Sequence, residues 1–228
     1  MQKSNYFIWF GLCALLQFQL LFAQDKYNMW YQYLLQAKIH NKSNFTALTQ
    51  YRSYDLAFDN RVFLVDGYVD YEWKQATKPA LGFLYLHISP YKDENTKKIK
   101  QEFRPFQQIT YNHNFNRISL AHRFRFEERL LSNPSIFILR TRYLLSIRVP
   151  FHTFRDKEIW YGIFKNEIRL NLKKNEFFDS DRILVGIGCK FSKNTAIEVA
   201  YINQIEKKDL NHFAFLGFRN QFDWRKSK

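Results

Sequence analysis

From Arg117 to Leu130 the chain changes character at every residue. Arg117, Ser119, Ala121, Arg123, Arg125, Glu127 and Arg129 alternate with Ile118, Leu120, His122, Phe124, Phe126, Glu128 and Leu130. Side chains of an extended strand point to opposite faces in turn, so this period sorts them onto one polar and one mostly apolar face. A helix would spread both sets around its circumference. The pattern predicts a long strand lying between two unlike environments.

The same alternation recurs in residues 137–149, where Arg140, Arg142, Ser146 and Arg148 oppose Phe137, Leu139, Tyr143, Leu145, Ile147 and Val149. It recurs again in 158–170, 182–191, 195–204 and 211–224, and earlier in 31–39, 45–54, 61–73, 81–88 and 102–111. Turn-forming residues join these runs at 41–44, 112–116, 132–134 and 192–194. Many of the runs exceed the roughly five or six residues of a soluble strand and match the roughly nine to eleven that cross a bilayer at a tilt. In lipid an open sheet edge leaves backbone groups unsatisfied, so such a sheet must close.

The expected fold class is all-β, a closed antiparallel transmembrane β-barrel of 10 to 12 strands, forming a single domain over residues 24–228. Eleven segments alternate, whereas bacterial single-chain barrels carry even numbers. The count is therefore expected to resolve to ten, if 31–39 is not a membrane strand, or to twelve, if one strand escapes detection. A soluble lipocalin-like barrel or sandwich is the alternative, with the apolar face inward. The strand lengths argue against it.

Residues 1–23 read as a secretory signal peptide: Lys3 supplies the positive start, residues 7–16 the apolar core, and cleavage is expected after Ala23. Gln17 and Gln19 interrupt the run before it reaches spanning length. Aromatic residues make up 19% of the chain at a mean hydropathy of -0.45, a pairing that excludes a disordered chain. No later stretch reaches about 18 uncharged residues, which disfavours a helical membrane protein. Cys13 falls in the leader, so Cys189 has no intrachain disulfide partner. Export combined with apolar-out alternation points to the cell outer membrane of a Gram-negative envelope.

With a periplasmic C-terminus, the connections after the fourth, sixth, eighth and tenth strands face outward. These include the basic stretches 89–98, 173–179 and 206–211. Trp73, Trp160 and Trp224 then fall at the periplasmic boundary in the lipid-facing register, as a membrane girdle. The formal net charge of +14 calls for an anionic partner. At this address the expected partners are outer-membrane lipid and lipopolysaccharide phosphates, and not nucleic acid.

The inward register gathers Arg104, Arg117, Arg123, Arg125, Arg129, Arg140, Arg142, Arg148, Lys165, Arg169 and Arg182 against Asp66, Asp70, Glu72, Glu102, Glu127, Glu167 and Glu198. The first reading is a lumen filled by Arg–carboxylate ladders, giving a structural or envelope-associated protein. The cation excess motivates an alternative, an anion-selective channel. A third reading is a lipid-modifying hydrolase whose His122, Thr141 and Asn166 share the lipid-facing wall as base, nucleophile and orienting group. The six histidines His40, His87, His113, His122, His152 and His212 lack metal-ligand spacing, so no metal or cofactor is expected. Gly186 and Gly188 are read as relieving crowding within a strand.

The segments Gln50-Tyr51-Arg52, Glu102-Phe103-Arg104-Pro105-Phe106-Gln107-Gln108, His122-Arg123-Phe124-Arg125-Phe126-Glu127-Glu128-Arg129, Arg140-Thr141-Arg142 and Asn166-Glu167 resemble an uncharacterised outer-membrane barrel family, domain of unknown function 2490. The resemblance covers essentially the whole mature chain. It implies a barrel and no established activity, so it carries over no catalytic residue.

Overall fold

The alternating runs become strands because each offers one face to a packed interior and the other to the outside. In the computed structural model, which describes residues 28–56, 58–74, 76–154, 157–173 and 176–225, they form β1 (Met29–Lys38), β2 (Ser43–Ser53), β3 (Asn60–Tyr71), β4 (Thr77–Ile88), β5 (Lys100–Phe115) and β6 (Ile118–Leu131). These are followed by β7 (Ile136–Phe154), β8 (Lys157–Asn171), β9 (Phe178–Lys190), β10 (Thr195–Glu206) and β11 (Leu210–Asp223). The expected leader lies outside the described residues. No helix among them is long and apolar enough to cross a membrane.

Each strand pairs antiparallel with the next, and β1 closes the barrel by pairing parallel with β11, from Met29 opposite Ala214 to Lys38 opposite Asp223. Among the described residues eleven strands therefore form the barrel, within the expected 10 to 12, and only the expectation of an even count is corrected. An odd count closes because β1 turns its free edge to a strand running its own way. Parallel pairing satisfies those backbone groups as antiparallel pairing would.

An odd count also puts the two ends of the described chain at opposite rims. Asn28 sits at the rim holding the β2–β3, β4–β5, β6–β7, β8–β9 and β10–β11 connections, hereafter the loop rim. Trp224 and Arg225 sit at the other, the turn rim, where β5 and β6 are joined by residues 116–117 alone. The longest connection, residues 89–99, lies at the loop rim. Its Tyr91 donates a hydrogen bond to Asp59 Oδ2 at 2.6 Å, and Lys97 forms an ion pair with Asp59, so this loop is tied to the β2–β3 connection.

The outer wall is apolar nearly all the way round. Tyr33, Val65, Leu81, Ile109, Phe124, Phe137, Phe164, Val185, Val199 and Leu216 are all exposed, and β2 adds the half-buried Phe45 and Tyr51. The interior divides into sectors. Val62, Leu64, Leu84, Leu86 and Phe106 form one apolar cluster on β3–β5. Trp30, Tyr161, Ile163, Leu184, Ala200, Ile202, Phe213 and Phe215 form another on β8–β11 and β1. Close contact there requires glycine: a Cβ on Gly188 would meet the Tyr161 ring at 2.2 Å, and one on Gly186 would meet Ala200 Cβ at 2.4 Å.

Candidate functional site

The arginines of β5–β9 point inward because the polar half of each alternating strand faces the lumen, where carboxylates replace water. Glu127 is fully buried on β6. It accepts hydrogen bonds from Arg140 Nε at 2.9 Å and from Arg142 Nη1 at 2.5 Å, with Arg104 Nη1 3.6 Å away. Glu102, also fully buried, is held bidentately by Arg104 at 2.6 and 2.7 Å and again by Arg129 at 2.5 Å. Glu167 on β8 accepts from Arg123 at 2.8 Å and from Arg142 at 2.6 Å, and lies 3.4 Å from Arg182. Arg142 thus joins Glu127 to Glu167 across the strand pair.

Two ion pairs cross the lumen rather than follow its wall. Arg125 on β6 donates to Asp66 on β3 at 2.8 Å while its guanidinium lies 3.7 Å from the centre of the Phe106 ring. Arg129 reaches Asp179 on β9 at 3.4 Å. A smaller network occupies the turn rim, where Glu158 binds Arg148 and Lys190. Arg148 packs 3.9 Å from the centre of the Tyr161 ring, and the Tyr161 hydroxyl donates to Glu198 at 3.0 Å. Lys165 lies in the neighbourhood of Glu198 and Arg219.

Every member of the expected ladder therefore faces the interior, and most share carboxylates. Arg169 and Lys165 are the exceptions: Arg169 approaches only Asp179, 3.9 Å away, and Lys165 has no carboxylate within ion-pair distance among the described residues. Two residues of the wider inward set are corrected: Arg117 and Glu72 lie in turn-rim connections and are exposed, because their strands end before them. Sequence reasoning missed Arg52, Asp179, Glu158, Lys190 and Arg219. Arg52 and Arg219 sit in inward register on β2 and β11 and were legible by parity. Asp179 was missed because it has the outward parity of Asp181 and Ile183, and a register shift, with Arg169 opposite Ser180 but Leu170 opposite Phe178, turns it inward. Glu158 falls on the outward parity of β8, yet it bends into the mouth to meet two cations. No alternation pattern encodes that.

A cavity of about 720 Å³ remains between the ladders. Twelve basic and four acidic side chains line it, so positive charge predominates on its surface.

The outer-wall trio does not form one site. His122 and Asn166 both pair with Leu145 and share a row, but Thr141 lies four residues along β7 from that row. At about 3.3 Å of rise per residue this separation exceeds hydrogen-bond reach several-fold. Each has another partner: His122 Nδ1 is 2.8 Å from the Tyr143 hydroxyl, Asn166 donates to Asp181 at 2.8 Å, and Thr141 Oγ1 is 3.5 Å from the Leu170 carbonyl. The His113 and His122 rings stack at 5.3 Å, a pairing that spacing along the chain did not reveal. Among the described residues no group of three or more His, Cys, Asp or Glu is placed to hold a metal ion. Trp73, Trp160 and Trp224 are all exposed at the turn rim, with Trp224 stacked on Phe45 and Phe222.

No curated protein matches the chain. Residues 27–212 match the family described as "Protein of unknown function (DUF2490)", a span that takes in the lumen network from Arg52 to Gln204 and ten of the eleven strands in full. The chain belongs to that family.

Proposed function

We propose that the protein is an outer-membrane β-barrel of a Gram-negative envelope, with a lumen held shut by ion pairs and a structural or envelope-associated role. One observation carries the reading: a closed sheet turns an apolar wall outward while charged side chains bridge its interior. A soluble protein rarely exposes so continuous an apolar surface, whereas lipid stabilises it. The exposed tryptophans at the turn rim suit a membrane interface, and the longer loops at the opposite rim suit the outside of the cell. Basic residues there, including Lys92, Lys98 and Lys208, suit lipopolysaccharide phosphates and outer-membrane lipid. Nucleic acid is not a partner in this reading.

A second reading, an anion-selective channel, draws support from the basic lining of the cavity. The experiment is to refold the mature chain in detergent, verify a heat-modifiable band, and record it in a planar bilayer. A closed barrel gives no steady conductance. Steady anion-selective current would establish the channel instead. N-terminal sequencing of the protein recovered from outer membranes is expected to begin at Gln24, after removal of residues 1–23.

A further inference from the structure

Cations and carboxylates are unevenly matched near the loop rim of the lumen. Arg52, at the end of β2, donates to Gln50 Oε1 at 2.8 Å and has no carboxylate within ion-pair distance among the described residues. Arg169 on β8 has only Asp179, at 3.9 Å. Arg182 on β9 donates to Gln204 Oε1 at 2.7 and 3.2 Å and shares Glu167 at 3.4 Å, a carboxylate already held more closely by Arg123 and Arg142. The three share one end of the lumen: on the paired strands β8 and β9 Arg169 lies opposite Ser180, two residues from Arg182, and Arg52 is a like-charge neighbour of Arg169. Arg52 and Arg182 both lie over the Trp30 ring, at 3.6 and 4.5 Å from its centre.

The donors left over are all of one kind. Among the described residues Arg169 Nε and Nη2, Arg52 Nε and Trp30 Nε1 are buried without a hydrogen-bond partner, and Arg169 itself is only 9% exposed. All three residues, and Arg182, line the cavity. A buried N–H without an acceptor is costly, and a buried guanidinium without a counter-charge more so. Arg123, Arg142 and Arg219 also keep an unpartnered Nε, but along β5–β7 each guanidinium still holds a carboxylate at close range. Among the described residues only Arg169 leaves two nitrogens orphaned, so the deficit here marks a place for an anion that the chain does not itself supply.

We propose that Arg52, Arg169 and Arg182, beside Trp30, form a binding site for a phosphate-class oxyanion entered from the loop rim. Guanidinium forks match phosphate and carboxylate oxygens bidentately. Phosphate is favoured because the forks arrive from three separate strands, and a tetrahedral anion presents oxygens in several directions while a planar carboxylate has two. The site goes beyond both readings of the lumen, since it requires neither conduction nor its absence. The phosphate can come free in solution or on a lipid headgroup.

The test uses the mature chain refolded from denaturant into a zwitterionic, phosphate-free detergent. Inorganic phosphate is titrated at constant ionic strength against chloride, with tryptophan emission and the unfolding midpoint as readouts. Saturable binding with a raised midpoint is expected, because a ligand that binds only the folded state stabilises it. Arg169→Gln should weaken it at least about tenfold through the lost charge-assisted bonds. Arg148→Gln, a turn-rim change, should leave it within about twofold, since screening mutes distant charge. Arg52→Gln serves as a second site variant should Arg169→Gln fail to refold, because Arg52 holds no carboxylate in place. A short-chain phosphatidic acid is titrated in parallel. Response to both ligands indicates free phosphate as sufficient, and response to the lipid alone places the phosphate on a headgroup. The proposal is overturned if chloride reproduces the response, if neither phosphate ligand binds, or if both site variants bind as the wild type does.

Discussion

The β5–β8 side of the lumen and the apolar sectors flanking it occupy the same closed sheet but are held by different physics. Around Glu127, Glu102 and Glu167 each carboxylate serves several guanidiniums, so no ion pair is independent of its neighbours. Around Leu84 and Ile202 the contacts are short-range dispersion and the removal of apolar surface from water, which sum nearly contact by contact. One sector is therefore expected to fail collectively and the other piecemeal. The charged sector selects geometry, because a guanidinium fork accepts few orientations; the apolar sectors fill volume.

The largest effect is expected in the charged sector. Glu127→Gln leaves Arg140 and Arg142 short of a counter-charge and should cost about 3–5 kcal/mol, read from the urea midpoint of the refolded barrel. Adding Arg140→Met to Glu127→Leu should cost far less than the two singles combined, since the stranded charge leaves with its partner. Strict additivity in that cycle would break the comparison. In the apolar sectors Leu84→Ala should cost about 2–5 kcal/mol through transfer and cavity terms. Combined with Ile202→Ala in the other cluster it should add within about 0.5 kcal/mol.

Gly188→Ala tests packing alone. Its new methyl meets the Tyr161 ring, and overpacking of about 1–3 kcal/mol is expected in the same assay. The smallest effect belongs to the loop rim. The hydrogen bond from Tyr91 to the Asp59 carboxylate raises the phenol above its usual 10.0. A group whose folded pKa is raised contributes stability below its unfolded value and loses it as pH rises through the folded one, so this tie should weaken above pH 10.0. A tyrosinate absorbance titration is expected to show one phenol moving back toward the usual range in Asp59→Asn.

Much of the fold was legible along the chain. All eleven segments and their order came from alternation, a local property that each strand carries by itself. The exposed, outward-facing positions of Trp73, Trp160 and Trp224 agree with the same parity. Parity also read most of the ladder, from Glu102 through Arg182, because inward register is a matter of odd and even positions. It could not read where strands stop, which is why Arg117 and Glu72 were placed inside, nor where the register shifts, which is why Asp179 was overlooked.

Alternation thus determined, without any knowledge of the fold, that this chain builds a long-stranded sheet with an apolar and a charged face. Tertiary structure decided how the sheet closes. Strand parity in sequence is silent on whether the first edge meets the last in parallel, and here the β1–β11 ladder made eleven strands sufficient. Closure also decided which charges meet. Arg52 and Arg169 come from β2 and β8, more than a hundred residues apart, and only the curvature of the closed barrel brings their guanidiniums to one end of the lumen. The separation of Thr141 from His122 and Asn166 has the same origin, since height on a barrel wall depends on cross-strand register as well as on face.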